Sequence, residues 1–373
     1  VLVAAVLVPG ACTSDSPSDS RGLPGTTGSA GWRTLDAGHA PAGASERWIG
    51  SPAGLVHLWL AGPALEGVIL TRGGDAHSLG GDTGLVDADQ RLGPGVRCAG
   101  AWNALVETGP PGHERSAVLL RSTDGAHWSA APTEGLPEAA IRSLACLGDA
   151  RLVAGGATID DAGRFEVATW VSADDGSTWR AGAMPGASAP PDDEAGFRFR
   201  GLAVARGVAV AIGDGEHRSQ VWSSTDGKRW RRLVPVGLSS APSLVDLAAA
   251  GDVLVAIASN GEDEWPLRVA RSTDGGATWT VEDLGVRVDG ASVRSVAGWL
   301  VVAAAPHDDP TATRIWASAD GRSWRRLRSV EAARPAGVVG LVDGPVLEGP
   351  DGVAVRVGNG AVQAGPAALL DAG

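Results

Sequence analysis

Five strings recur in phase along the chain, and no other feature narrows the fold as much. They are STDGAHW from Ser122 to Trp128, SADDGSTW from Ser172 to Trp179, STDGKRW from Ser224 to Trp230, STDGGATW from Ser272 to Trp279 and SADGRSW from Ser318 to Trp324. From Trp to Trp the intervals are 51 (128 to 179), 51 (179 to 230), 49 (230 to 279) and 45 (279 to 324). A period in that range means one supersecondary unit per repeat, each unable to cover its own faces.

The alternation inside one period gives the content of the unit. Between Ser243 and Gly285 it predicts a first strand over Val245–Ala248, a turn at Gly251-Asp252 and a second strand over Val253–Ala258. A polar loop follows, then a third strand over Leu267–Arg271, the Asp-Gly turn and a short fourth strand from Thr278-Trp279. Four short strands joined by Gly-rich turns are a β-propeller blade. The same parse fits 96–136, 141–186, 199–236 and 292–329. Ala-rich runs such as LAAAGDVLVAIAS have helix propensity, but their repeated place beside Gly turns makes them strands. Two weaker units flank the five. Arg47–Leu79 has Gly74-Asp75 and Leu79 where the others have Asp-Gly and Trp, and Gly337–Gln363 has Gly358-Asn359-Gly360 at its turn. Terminal repeats are commonly atypical. The expectation is an all-β propeller of seven blades, or six if one flank is not a full blade. GWRTL (Gly31–Leu35) looks like the fourth-strand string SWRRL (Ser323–Leu327) and would give the last blade its outer strand.

The recurring strings resemble the Asp-box, Ser-x-Asp-x-Gly-x-Thr-Trp, of sialidases and many non-sialidase propellers. Two copies match at every position; those at 122, 224 and 318 are one residue shorter between Asp and Trp. A structural role follows from the chemistry of each residue. Asp124, Asp174, Asp226, Asp274 and Asp320 can bond amides two or three residues ahead, and Ser122, Ser172, Ser224, Ser272 and Ser318 do so more weakly. Gly125, Gly176, Gly227, Gly276 and Gly321 supply positive φ. Trp128, Trp179, Trp230, Trp279 and Trp324 are wedges between blades.

The resemblance makes sialidase the enzyme to test. Sialidases use a Tyr nucleophile activated by a Glu, an Asp acid/base, and three Arg that clamp a substrate carboxylate. These 373 residues contain no Tyr, and neither TRGGD at Thr71–Asp75 nor FRFRG at Phe197–Gly201 supplies the expected Arg-Ile-Pro motif. Other Asp-box glycosidases use two carboxylates across a groove, and that alternative stays open.

Function is then expected on the face opposite the boxes, where loops between second and third strands converge. Those loops are polar: GHER, IDDAGR, DGEHR, NGEDEW and HDDP. They offer His113, Asp160, Asp161, Glu216, His217, Glu262, Asp263, Trp265, His307 and Asp308. The plain reading is a solvated acidic rim. The sharper one is a cationic or sugar ligand, with Trp265 as a stacking platform and the acids as acceptors. No ligand spacing supports a metal, and no cofactor is implied.

The start, VLVAAVLVPGAC, is an apolar run of eight residues closed by small residues and Cys12, too short to span a bilayer. It suits a signal-peptide core and resembles a bacterial lipoprotein signal, with Cys12 as the lipidated residue; a plain secretory signal is the alternative. The expected order is signal 1–12, flexible tether 13–30, one propeller over 31–366 and a tail 367–373. Cys98 and Cys146 fall on inner strands of successive blades. We read them as a disulfide in an oxidising compartment, the alternative being two buried thiols. A net charge of −12 with no visible basic stripe argues against nucleic acid and anionic membranes. The resulting expectation is a monomeric, lipid-anchored, non-catalytic platform for a protein or glycan outside the cytoplasm. The alternatives are a glycoside hydrolase with Asp/Glu chemistry and an assembly factor for a membrane complex.

Overall fold

The structure is a computed structural model that describes residues 33–36, 46–51, 54–61, 64–71, 76–82, 90–108, 116–137, 140–148, 150–159, 164–187, 198–214, 219–238, 243–259, 265–296, 299–309, 313–330, 347–348, 353–358 and 361–366. The signal, tether and tail expected at 1–12, 13–30 and 367–373, with Cys12, lie outside the described residues.

Every described element is a strand. After β1 (Arg33–Asp36), the first antiparallel sheet holds β2 (Glu46–Ser51), β3 (Gly54–Ala61), β4 (Ala64–Thr71) and β5 (Ala76–Asp82) in that order. The second holds β6 (Gln90–Cys98), β7 (Ala101–Thr108), β8 (Ser116–Ser122) and β9 (Ser129–Ala131). The third is β10 (Ala140–Leu147), β11 (Arg151–Ile159), β12 (Phe165–Ser172) and β13 (Arg180–Ala181); the fourth is β14 (Arg198–Ala205), β15 (Val208–Asp214), β16 (Ser219–Ser224) and β17 (Arg231–Leu233). A fifth sheet of seven strands follows: β18 (Ser243–Ala250), β19 (Val253–Ser259), β20 (Trp265–Ser272), β21 (Thr280–Val296), β22 (Trp299–Pro306), β23 (Thr313–Ser318) and β24 (Arg325–Val330). The last contains β25 (Leu347–Glu348), β26 (Val353–Gly358) and β27 (Ala361–Pro366), with β1 along its far edge. Arg33 pairs with Ala364 and Asp36 with Ala361, so the chain start joins the chain end.

The first strands of the first five sheets pack side by side in the order β2, β6, β10, β14 and β18, and β18 packs in turn on β21 within the fifth sheet. Four-stranded sheets set side by side in chain order are consistent with a propeller. The second, third and fourth sheets and the β18–β21 half of the fifth are covered on both faces, which explains their continuous apolar second strands. Residues 209–213 of β15 and 254–259 of β19 are buried without alternation. The Ala-rich runs are strands for that reason: Ala209, Ala211 and Ala256 are fully buried where two sheets approach closely. The core is a series of interfaces. One contains Val210, Ile212 and Val221 of the fourth sheet with Leu244, Leu254 and Trp279 of the fifth. Each such large side chain contributes about 1.5–3 kcal/mol by burial.

The junctions between sheets share a device. After the outer strand of the second sheet, Glu134 accepts from the Trp179 amide at 2.7 Å and donates to the Ser177 carbonyl at 3.2 Å. Ala183 bonds Lys228 and Trp230 in the same way, and Val236 bonds Ala277 and Trp279. Each is a one-residue parallel bridge from one sheet to the box of the next. Gly135 and Gly237 follow two of them at φ of 80° and 91°, and a Cβ there would lie 2.3 and 2.0 Å from the Trp179 and Trp279 carbonyl oxygens.

Two expectations are corrected. β6 begins at Gln90, not Val96, because Gly93-Pro94 is a bulge inside the strand and not its start. The fourth strand after Trp279 is not short: β21 runs for 17 residues, pairing first with β20 and then, from Val288, with β22. No polar linker interrupts it, and Gly285 at φ 72° with a shift between Val288 and Gly290 absorbs the change of direction.

Candidate functional site

The five boxes occupy the turn between third and fourth strands, at one end of the sheets. In each, the Ser hydroxyl accepts from the box Gly amide at 2.8–3.0 Å and donates to the Asp carboxylate at 2.7–3.0 Å. The carboxylate then takes amides ahead of it: Ala126 and His127 for Asp124, Thr178 for Asp174, Lys228 and Arg229 for Asp226, Ala277 and Thr278 for Asp274, Arg322 and Ser323 for Asp320. In the two long copies the Thr hydroxyl adds a bond, at 2.6 Å from Thr178 and 2.5 Å from Thr278. In the first copy His127 Nδ1 takes that place, 2.7 Å from Asp124.

Four box indoles, Trp128, Trp179, Trp230 and Trp279, donate to their own box Gly carbonyl at 2.8–3.0 Å and are buried against the preceding sheet. The fifth differs. Trp324 is half-buried and its Nε1 has no partner among the described residues. The glycines serve twice: Gly176 sits at φ 90°, and a Cβ on it would lie 2.1 Å from Leu119 of the preceding sheet.

These bonds hold the carboxylates ionised. The Thr178 hydroxyl, then its amide, lowers Asp174 to about 2. The His127 side chain foremost holds Asp124 well below the usual range. Amides of Arg229 and Ser323 do the same for Asp226 and Asp320. Burial raises Asp274, but the Thr278 hydroxyl and amide outweigh it. A carboxyl of that kind carries no proton at neutral pH and is no general acid there.

Beside this end, Cys98 on β6 and Cys146 on β10 are joined: S–S 2.05 Å and Cα–Cα 5.2 Å. The bond ties the first strands of the second and third sheets. Two arginines add longer-range ties: Arg121 pairs with Asp175 of the next sheet at 2.8 Å, and Arg271 Nε on β20 donates to the Asp320 carbonyl beyond β23 at 2.8 Å. Both stand immediately before a box Ser, which was their available signal.

The opposite end is built differently. His113, Asp160, Asp161, Glu216, His217, Glu262 and Asp263 lie outside the described residues. Trp265 is no surface platform: it opens β20 and is 5% exposed, packed with Val286, Val288 and Val293. Its apolar ring is covered by β21, which continues over it where a loop was expected. His307 is exposed, with Nδ1 2.6 Å from Asp289, and Asp308 pairs with Arg314 at 3.0 Å.

Strands β6, β10, β14, β18 and β21 each have a register shift near this end, at Gly93-Pro94, Arg142, Arg200, Val245 and Asp289. Bulges turn side chains out of the pleat. Arg200 makes a two-point contact with Asp214 at 2.8 and 2.8 Å. Next to the Val245 shift, Asp246 takes the Leu247 and Val293 amides and Arg294 Nη1 at 2.6 Å. The large apolar side chains left open here are Ile159 and Phe165, directly opposite each other at the ends of β11 and β12, 47% and 43% exposed. Their only sequence signal is that they are apolar residues flanking a polar loop. Among the described residues no three His, Cys, Asp or Glu side chains converge as a metal would require.

No protein-family model matches the chain, and no curated protein matches it in sequence. Solved structures are similar in fold. The Hadza microbial sialidase Hz136 aligns at TM-score 0.50 and 15% identity, over 86% of this chain and 75% of that one. A protein of unknown function from Dyadobacter fermentans aligns at 0.47 and 12%, over 90% and 99%. YjhT aligns at 0.48 and 10%, over 79% and 99%. At such identities the likeness is one of fold: this chain has a sialidase-like, all-β arrangement of antiparallel sheets.

Proposed function

We propose that the chain is a non-catalytic, lipid-anchored propeller outside the cytoplasm that holds a protein or glycan on the face opposite its boxes. Counting β21 once in each of two blades, and β1 as the outer strand of the terminal sheet, gives seven blades. The observation that carries the binding role is the exposed Ile159–Phe165 pair at an end of the sheets where all other large apolar side chains described are covered. The absence of Tyr from these residues supports a non-catalytic reading. The Cys98–Cys146 bond suits an oxidising compartment.

The test is a glycan array and a pull-down with the full chain and with Phe165→Ala. Retention of one ligand class by the parent, lost in a variant that melts at the same temperature, supports the platform. Equal retention by both removes Phe165 from the site. Recovery of subunits of one membrane assembly would point instead to the assembly-factor role. The hydrolase reading rests on Asp246 and Asp289, carboxylates on adjoining first strands at the loop end. It is tested with chromogenic glycosides, where turnover abolished by Asp289→Asn would replace the present reading.

A further inference from the structure

The box end carries a cluster of exposed cations, interleaved with the box carboxylates, that the net value of −12 conceals. Arg180, Lys228, Arg229, Arg231, Arg322 and Arg326 are all exposed, in or just after three of the boxes. Their common place follows from the repeat: each fourth strand starts at the box turn, so residues beside the box Trp lie at this rim. The aspartates among them, Asp226 and Asp320, are turned onto turn amides. Arg271 sits close enough to Arg322 for that charge, after burial, to lower its pKa. The Asp320 carboxylate offsets part of that effect, and an anion outside the protein would add to that offset.

Chain direction points the same way. Third strands run toward the boxes; on the seven-blade reading β27 is a third strand, and β1, antiparallel to it, has Arg33 at the box end of the pair. On that reading the chain enters β1 from the side that carries the cations.

We propose that the box-end rim is a membrane-facing surface that docks on anionic phospholipid headgroups, leaving the Ile159–Phe165 end turned away from the bilayer. It rests on the lipid-anchor reading for its biological setting, but not for its test. Clustered Lys and Arg bind an anionic leaflet additively and lose that attraction as salt rises.

The experiment uses the full chain without lipid, on vesicles of phosphatidylcholine alone or mixed with phosphatidylglycerol. Its apolar start is common to every protein compared, so differences report the rim. The expected result is stronger partition onto the anionic vesicles, reduced at least about tenfold in K228Q/R229Q/R231Q/R322Q and by high salt. A control, R91Q/R142Q/R198Q, removes exposed cations from the other end of the first strands and should bind like the parent. Equal partition of parent and rim variant overturns the proposal. Equal loss in the control overturns it too, since net charge alone would then decide binding. Binding to a soluble polyanion such as DNA as strong as to the vesicles replaces the membrane with a polyanion as occupant. Failure of the anchor reading is read separately, from the mass of the mature chain, and leaves these outcomes unchanged.

Discussion

The two ends of the sheets follow different rules. At the box end one geometry is written five times, and side chains in it bond their own turn or the neighbouring sheet. At the loop end the described contacts differ from one another: Arg200 holds Asp214, Asp246 reaches across to Val293 and Arg294, and Asp289 meets His307. Repetition suits a structural task, because every junction poses the same packing problem. Divergence suits recognition, because a ligand needs unlike groups at unlike places. The polar residues most conspicuous in the sequence hold the fold, and the proposed binding role rests on less patterned positions.

Substitutions should separate the two ends, beginning with the indoles. Trp179→Ala should cost about 3–5 kcal/mol in denaturant unfolding, since the ring fills the space against Leu105 and Leu119. A loss below about 1 kcal/mol would make the wedge dispensable. Removing the disulfide with Cys98→Ser and Cys146→Ser together should cost somewhat less, about 2–4 kcal/mol for a crosslink spanning 48 residues. The melting temperature with and without a thiol reductant reads the same difference. Ser172→Ala comes next. It leaves the buried Gly176 amide without its acceptor and should cost about 1–3 kcal/mol.

Acid sharpens the contrast. The box carboxylates have folded-state pKa values below the ordinary 3.8, so their contribution is complete above about pH 4. It is lost as pH falls toward about 2, where Asp174 takes its proton. Asp174→Asn should therefore flatten the acid limb of a stability–pH curve, whereas a parallel curve would remove the carboxylate from the linkage. Smallest in stability is Phe165→Ala, expected within about 0.5 kcal/mol of the parent. A large loss there would erase the distinction between the ends.

Most of the box end is legible in the sequence. Ser, Asp, Gly and Trp each do in the turn what their chemistry dictates, and a fixed period makes one copy predict the rest. Cys98 and Cys146 could be placed on neighbouring strands by the same period. The bridges at Glu134, Ala183 and Val236 were not legible, because backbone bonds leave little side-chain signature; only the Gly after two of them hinted at one. Trp265 misled for a physical reason. An aromatic beside acids reads as exposed, yet the strand after it runs on and covers the ring, and nothing in the composition of 280–296 announces a strand of that length. Phe165 is not legible, because a single apolar residue at a strand end looks like core.

Residue-resolved amide hydrogen exchange on the intact chain tests the pinned-turn account most directly. It predicts that the amides of Gly125, Gly176, Gly227, Gly276 and Gly321, although they lie in turns, exchange as slowly as those of the central strands. Exchange at the rate of open surface loops at these glycines would contradict it.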